Sequence, residues 1–443
     1  MRSTAAGRYK HAQMTSSAAD KKQPQEALKP LLPSRQWGSV RVRWVRTLNV
    51  YTACLAAICA HSFYTGVRLA LAVVALKMTD SPATVGVIMM AYALLPALMS
   101  PRIGRTADRH GVRPLLHLCP WLLVCAGAAL WLLPRHTAVL ILAAALVGLG
   151  FNGFAVSIQK LIGGLPPSDR QLNVPAVERR KRNFGTLATA SSISSFAGPL
   201  LAGWGVDHLP AGAVFGLLAA LPMLAWALSL SWRLPPGAAP AAAAELTAAR
   251  PRSALLAREL WPLAVVIVML TVAGDALGFL TPIIGKQQGF SATTVGAIVS
   301  AFAIGSFIVR LIGPLFIAKL PERVYLSLTL IACAVILLLY ALVSSALALT
   351  LLSFALGAWL GLAQPMTQSL LHQSVPEHRV GEALGARLAL VGGAQAAAPL
   401  VFGLGVQSLG TGPTLALACL VLVASGIFAA RAAALRPHGL RRA

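Results

Sequence analysis

Charge is scarce in this chain, and negative charge scarcest of all. Of 443 residues 11% are charged, with 13 acidic side chains against 37 basic ones. A soluble domain carries about 25% charged residues, so water is a poor match for most of this surface. Cysteine is thin too. Cys54, Cys59, Cys119, Cys125, Cys333 and Cys419 all fall in apolar stretches, without CxxC spacing or a histidine cluster. That pattern speaks for small interior residues and against a disulfide framework or a metal centre. Also missing are a Walker loop, a Ser/His/Asp set and any grouping of metal ligands, so neither an enzyme nor a bound cofactor or metal is expected. The first 47 residues lack an early apolar core, so they read as a basic arm and not as a cleaved signal peptide, with Met14 an alternative start.

Long apolar runs are what the chain has in abundance, since 57% of it is hydrophobic. A membrane-crossing helix needs about 20 such residues. Twelve stretches qualify, at 48–75, 84–101, 114–133, 137–159, 184–206, 211–231, 261–284, 293–312, 323–342, 346–370, 386–406 and 412–431. The expected fold is therefore all-α and polytopic. The residues between Trp232 and Trp261 carry Pro235, Pro236, an alanine-rich tract, Arg250 and Arg252. They divide the chain into an arm (1–47), a six-span bundle (48–232), a linker (233–260), a second bundle (261–431) and a tail (432–443).

Basic residues follow this layout. With the first residues placed in the cytoplasm, thirty Lys/Arg fall in cytoplasmic segments, and Lys77, Arg135 and Lys286 alone fall in outer loops. Arg68, Lys160, Arg310 and Arg387 lie in or at the ends of spans. Such a bias places both termini inside and favours an even span count. It also accounts for the net charge of +24 without a nucleic-acid partner; the lipid bilayer is the expected one.

The halves repeat each other. Gly185–His208 aligns with Gly385–Ser408 at a constant offset of 200, with Pro199/Pro399, Gly203/Gly403 and Gly205/Gly405 among the identities. Ser81, Thr84, Val85 and Gly86 align with Ser291, Thr294, Val295 and Gly296 at an offset of 210. Two parallel repeats predict a central site between them and a rocking motion that exposes it to each side in turn.

Polar groups within the spans are few, and each needs a reason. Asp275 is the acid well inside a span, and Arg68 is the basic group in the first span. The 210 offset sets Arg68 opposite Gly278, about one turn from Asp275. His61 and Tyr64 accompany Arg68. Asn152, Gln364, Gln368 and Gln395 are the remaining candidates for cavity or coupling roles, each with helix–helix hydrogen bonding as its plainer reading.

Two motifs resemble one known family. The sequence Gly104-Arg105-Thr106-Ala107-Asp108-Arg109-His110-Gly111-Val112-Arg113, between spans two and three, is similar to the signature loop of the major facilitator superfamily. In that family the loop serves cytoplasmic gating, which implies that role for Gly104, Asp108, Arg109, Gly111 and Arg113. Arg109 and Arg113 are candidate partners of Asp108. Ser194 to Gly203, with Gly198, Pro199 and Gly203, is similar to the glycine-proline motif of the family's drug and proton antiporters. Pro399 and Gly403 repeat it, which also fits ordinary tight helix packing. The arginine that such antiporters carry in span four is absent, where Ala144 to Gly150 stands.

The resemblance implies twelve helices in two pseudo-symmetric bundles, and a monomer in the bacterial inner membrane. It also implies gradient-driven transport of a small molecule, with protons as the expected coupling partner. Export, as by an antiporter, is the first expectation. Import of an organic anion by a proton symporter is the second, and a non-transporting sensor on the same fold is the third. In the family, spans one and seven face the central cavity, so Arg68 and Asp275 are expected to approach each other across it.

Overall fold

In lipid a backbone amide has no water to bond, so a crossing segment must satisfy its own N–H and C=O groups, and helices do this. The computed structural model describes residues 50–165, 175–210, 212–232, 260–317, 320–375 and 380–432. The predicted arm, and nearly all of the predicted linker and tail, lie outside the described residues. Thirteen helices follow: α1 (Val50–Thr79), α2 (Pro82–His110), α3 (Arg113–Leu132), α4 (Thr137–Gly163), α5 (Ala176–His208), α6 (Ala213–Leu230), α7 (Trp261–Gln287), α8 (Ala292–Ile317), α9 (Glu322–Leu342), α10 (Ala346–Gly361), α11 (Ala363–Ser374), α12 (Val380–Leu409) and α13 (Thr411–Arg431). No strand occurs among the described residues. The chain divides into Met1–Trp44 and Val45–Ala443, and the thirteen described helices lie in the second unit.

The tenth crossing is made of two pieces. Pro365 lacks an N–H, so the carbonyl of Gly361 loses its helical donor, and α10 ends there while α11 begins at Ala363. With α10 and α11 counted as one, the described residues make twelve crossings. Val50 and Arg431 then leave from the same face, here the terminal face; the opposite one is the far face.

Composition and length make eleven of these crossings apolar enough for a membrane. The twelfth, α5, is too polar for that test but has 33 residues, about 50 Å at 1.5 Å per residue. Thr186, Thr189, Ser191, Ser192, Ser194 and Ser195 each donate to a carbonyl of their own helix. That internal bonding lets a hydroxyl-rich helix sit in an apolar environment.

Helices α1–α6 pack as one group and α7–α13 as another. The groups meet chiefly along α2 against α12 and α5 against α8, with α1 touching α7 between those seams. The two repeated motifs turn out to be the two sides of this interface. Ser81 and Ser291 accept from the backbone N–H of Thr84 and Thr294, capping α2 and α8. The glycines that follow take the proline turns of the other half. A Cβ on Gly86 would lie 2.7 Å from the carbonyl oxygen of Pro399, and one on Gly296 would lie 2.5 Å from that of Pro199. Gly403 meets Pro82 and Gly203 meets Ala292 in the same way. Only glycine permits backbones this close.

Candidate functional site

A cavity of about 260 Å³ opens between α1, α5, α7 and α8. It lies where the two groups of helices face each other, and its volume falls just below the usual range for ligand sites of about 300–1,000 Å³. Its apolar wall includes Leu277 and Phe302, and its polar wall includes Tyr64, Ser192, Ser195 and Ser306. Among the described residues two guanidinium groups line it, Arg68 and Arg310, and no acidic side chain does.

Arg68 and Asp275 meet between the halves. Arg68 Nη2 donates to Asp275 Oδ1 at 3.0 Å. The carboxylate is buried, while the arginine side chain keeps 30% of its surface towards the cavity. Asp275 Oδ2 is buried and has no hydrogen-bond partner among the described residues. A carboxylate normally fills both oxygens, so half of this acid's bonding capacity is open.

His61 and Tyr64 form a stacked wall beside the pair. Tyr64 lies 4.1 Å from the ring of Phe151 and 4.9 Å from that of Tyr92. Tyr92 donates its hydroxyl to the carbonyl of Tyr64 at 2.5 Å. His61 Nδ1 lies 2.6 Å from Ser194 Oγ, which ties α1 to α5. Close approach there depends on Gly66 and Gly198, where a Cβ on Gly66 would sit 2.8 Å from the Gly198 carbonyl oxygen.

The other candidates lie apart from the cavity. Asn152 donates to Ser100 Oγ at 2.5 Å and to the Pro96 carbonyl at 3.3 Å, joining α4 to α2. Gln364 and Gln395 are exposed and Gln368 is half-buried; none of the three lines the cavity. Pro199 lines its edge, while Gly203, Pro399 and Gly403 serve the interface.

The gating-loop residues are mostly not in a loop. The helix α2 continues to His110, so Gly104, Asp108 and Arg109 are helical and only Gly111 and Val112 turn the chain. Gly111, with φ 77°, is the glycine whose freedom the turn requires; nothing crowds Gly104. Asp108 pairs with neither predicted arginine. Lys160 of α4 reaches it at 2.7 Å and donates to the Ala107 carbonyl at the same distance. The reason is lateral: α2 and α4 run side by side with Gly148 against the carbonyl of Tyr92, whereas Arg109 and Arg113 lie further along the chain's own turn. A lysine at the end of span four was the available signal.

Hydrogen bonds between the halves concentrate towards the far face. Lys286 pairs with Asp80 at 2.6 Å and donates to the Leu76 carbonyl at 2.5 Å. Asp207 accepts from the Ala292 N–H at 3.0 Å and from the Thr293 N–H and hydroxyl at 2.7 Å, capping α8 from the other half. Ser81 donates to Gln407 at 3.2 Å, and Ser300 to the Phe196 carbonyl at 2.8 Å. The cavity lies on the terminal side of these contacts.

This architecture has known relatives. A family model described as Major Facilitator Superfamily matches residues 53–399 and 263–442. The chain belongs to the major facilitator superfamily. Facilitator-superfamily membership makes it a multi-pass membrane protein with the fold of a secondary transporter, and points to transport and away from catalysis. Among solved structures, the nucleoside transporter NupG superposes with a TM-score of 0.71 at 12% identity, covering 86% of this chain and 99% of that one. A POT family transporter in complex with 5-aminolevulinic acid gives 0.70 at 14% identity, covering 85% and 94%. A bacterial homologue of the human lysosomal transporter Spinster, in an inward-facing and occupied conformation, gives 0.60 at 18% identity, covering 86% and 95%. At these identities the likeness is one of fold.

Proposed function

We propose that this facilitator-superfamily chain moves a small molecule across the membrane by alternating access driven by a proton gradient, with Asp275 as the group that carries the proton. The observation behind this reading is the Arg68–Asp275 pair. It bridges the two halves beside the cavity, and its carboxylate has a buried, unpartnered oxygen. A proton on that oxygen would discharge the acid, loosen the bond to Arg68 and remove one tie between the halves. Coulomb attraction is strong where water is excluded, so this single proton can bias the equilibrium between two packings of the bundles.

The excess of Lys/Arg on the terminal side orients that face to the cytoplasm and both termini with it. The arrangement is then inward-facing, in a plasma membrane of the bacterial inner-membrane kind. The glycine-proline motif, which in sequence leans towards export, does the same interface work in both halves. It therefore carries no information about direction. Gating at the cytoplasmic side by Asp108 remains part of this proposal.

The test starts with a screen of cells lacking and overproducing the protein, read as both resistance and uptake. A hit is then taken into proteoliposomes with an imposed pH gradient. The expected result is counterflow by wild type and by Asp275→Asn, with acceleration by the gradient in wild type alone. Lack of counterflow for every hit would sink the transport reading. An intact gradient response in Asp275→Asn would remove this carboxylate as the coupling group.

A further inference from the structure

The cavity is unbalanced in charge. Arg68 is matched by Asp275, but Arg310 forms no ion pair among the described residues. Its Nε donates to the Gly361 carbonyl at 3.0 Å, the carbonyl that Pro365 leaves without a helical donor. This bond holds the side chain along the cavity wall and leaves its two terminal nitrogens without a protein acceptor among the described residues. Repeat symmetry does not require a cation there, because the offset of 210 puts Ser100 at the matching place in the first half. A group needed only to fill a carbonyl at a helix break would not have to be charged.

The remaining polar wall is mixed, and its open donors lie with Ser306 and Tyr64. Ser192 and Ser195 spend their hydroxyl protons on their own helix. The Ser306 and Tyr64 hydroxyls donate to no described residue. Ser192 and Ser195 are thereby left as acceptors, the guanidinium nitrogens with the Ser306 and Tyr64 hydroxyls are the donors still open, and no carboxylate lines the space among the described residues. Arginine presents paired N–H groups that match the two oxygens of a carboxylate or phosphate. Counted from the far ends of their helices, Arg68 lies about 11 residues deep and Arg310 about 18, so at 1.5 Å per residue they are offset by about 10 Å along the bundle. Arg310 is thus the lining arginine nearer the terminal face and Arg68 the one nearer the far face.

We infer that the substrate is a small organic anion, bearing a carboxylate or phosphate group beside an apolar portion, which is captured at Arg310 and delivered to Arg68. The apolar portion faces Leu277 and Phe302. This rests on the proton-coupled reading above and deepens it. Once Asp275 takes a proton, Arg68 is released, so anion and proton bind together and travel in the same direction. No covalent step is involved; one proton and one anion enter and leave.

The experiment measures binding to the full-length protein in nanodiscs at pH 5.5, using benzoate, succinate and glycerol 3-phosphate, with choline and glucose as controls. The expected result is thermal stabilisation by at least one of the anions and by neither control. Arg310→Gln is expected to weaken that anion at least tenfold, and Arg310→Lys by clearly less. Stabilisation by choline or glucose alone, by none of the three anions, or by an anion equally in wild type and Arg310→Gln would each overturn the inference. If Arg310→Gln does not fold, the wild-type profile across the five probes decides the class. Counterflow in proteoliposomes keeps this separate from the transport reading. Anion binding without counterflow defeats transport and leaves the anion site standing, whereas counterflow of choline or glucose without any anion does the reverse.

Discussion

Arg68 and Asp275 join the two halves of this transporter through a single hydrogen bond of 3.0 Å, with the second carboxylate oxygen buried and unused. A fully satisfied buried pair would be a lock. This one is half-satisfied, and its arginine already looks into the cavity. The pair can therefore exchange one partner for a proton and the other for a ligand without unfolding anything around it.

Neutralising one member should harm transport more than exchanging both. Breaking a buried pair from one side costs about 3–5 kcal/mol, and the lower end applies because Arg68 is partly open to the cavity. Arg68→Gln is expected to reduce uptake at least tenfold, and the exchange Arg68→Asp with Asp275→Arg to recover part of it. Initial rates in proteoliposomes check this; an exchange no better than the worse single variant removes the pairwise account.

The interface glycines should control closure at the far face. A side chain at Gly86 or Gly296 would strike the Pro399 or Pro199 carbonyl, and overpacking costs about 1–3 kcal/mol. Gly296→Val is expected to hold the far side open. Maleimide labelling of a cysteine placed at Val299, applied from the far side, should then rise severalfold, and an unchanged rate would contradict the interface reading.

Asp207 lies one residue past the predicted span 184–206 and gives a prediction with a definite pH sign. Burial works against its ionisation, but hydrogen bonds from the Thr293 hydroxyl and the Thr293 and Ala292 amides, with Lys77 nearby, outweigh that and hold its carboxyl below the ordinary value of 3.8. A depressed acid stabilises above its ordinary value, and the contribution fades only as pH falls through the lowered one. This cap is therefore constant between pH 5 and 8. Asp207→Asn should weaken far-side closure by about 1 kcal/mol while leaving the shape of the pH–rate profile in that window unchanged. A profile that flattens would place the coupling proton at Asp207 and not at Asp275.

Asn152 should behave as a helix tie. Its amide is taken up by Ser100 and Pro96, and such bonds in membrane bundles contribute about 0.6 kcal/mol on average. Asn152→Leu is expected to lower the melting temperature slightly with KM unchanged. A tenfold rise in KM would make it a ligand contact.

Asp108 and Lys160 are both largely exposed, and a surface pair contributes about 0–1 kcal/mol. Asp108→Asn should leave the melting temperature in place and, if the loop gates, lower turnover. Loss of stability without loss of turnover would make the pair structural.

The sequence by itself determined the solvent, the number of crossings and the pseudo-symmetry, because apolar length and the spacing of repeated motifs are one-dimensional quantities. It also brought Arg68 within a turn of Asp275, since that alignment needs only the offset of 210. What those repeats touch was decided by tertiary structure alone. Each glycine-proline turn seats on the capped glycine helix of the opposite half, a relation between segments about 100 or more residues apart. Periodicity was silent on which polar residues face inward, because helices apolar all round have no distinguishing face. Thus Gln364 and Gln395 stand away from the cavity, Asp108 finds Lys160 sideways, and Arg310 enters the site because a proline in another helix frees the carbonyl that orients it.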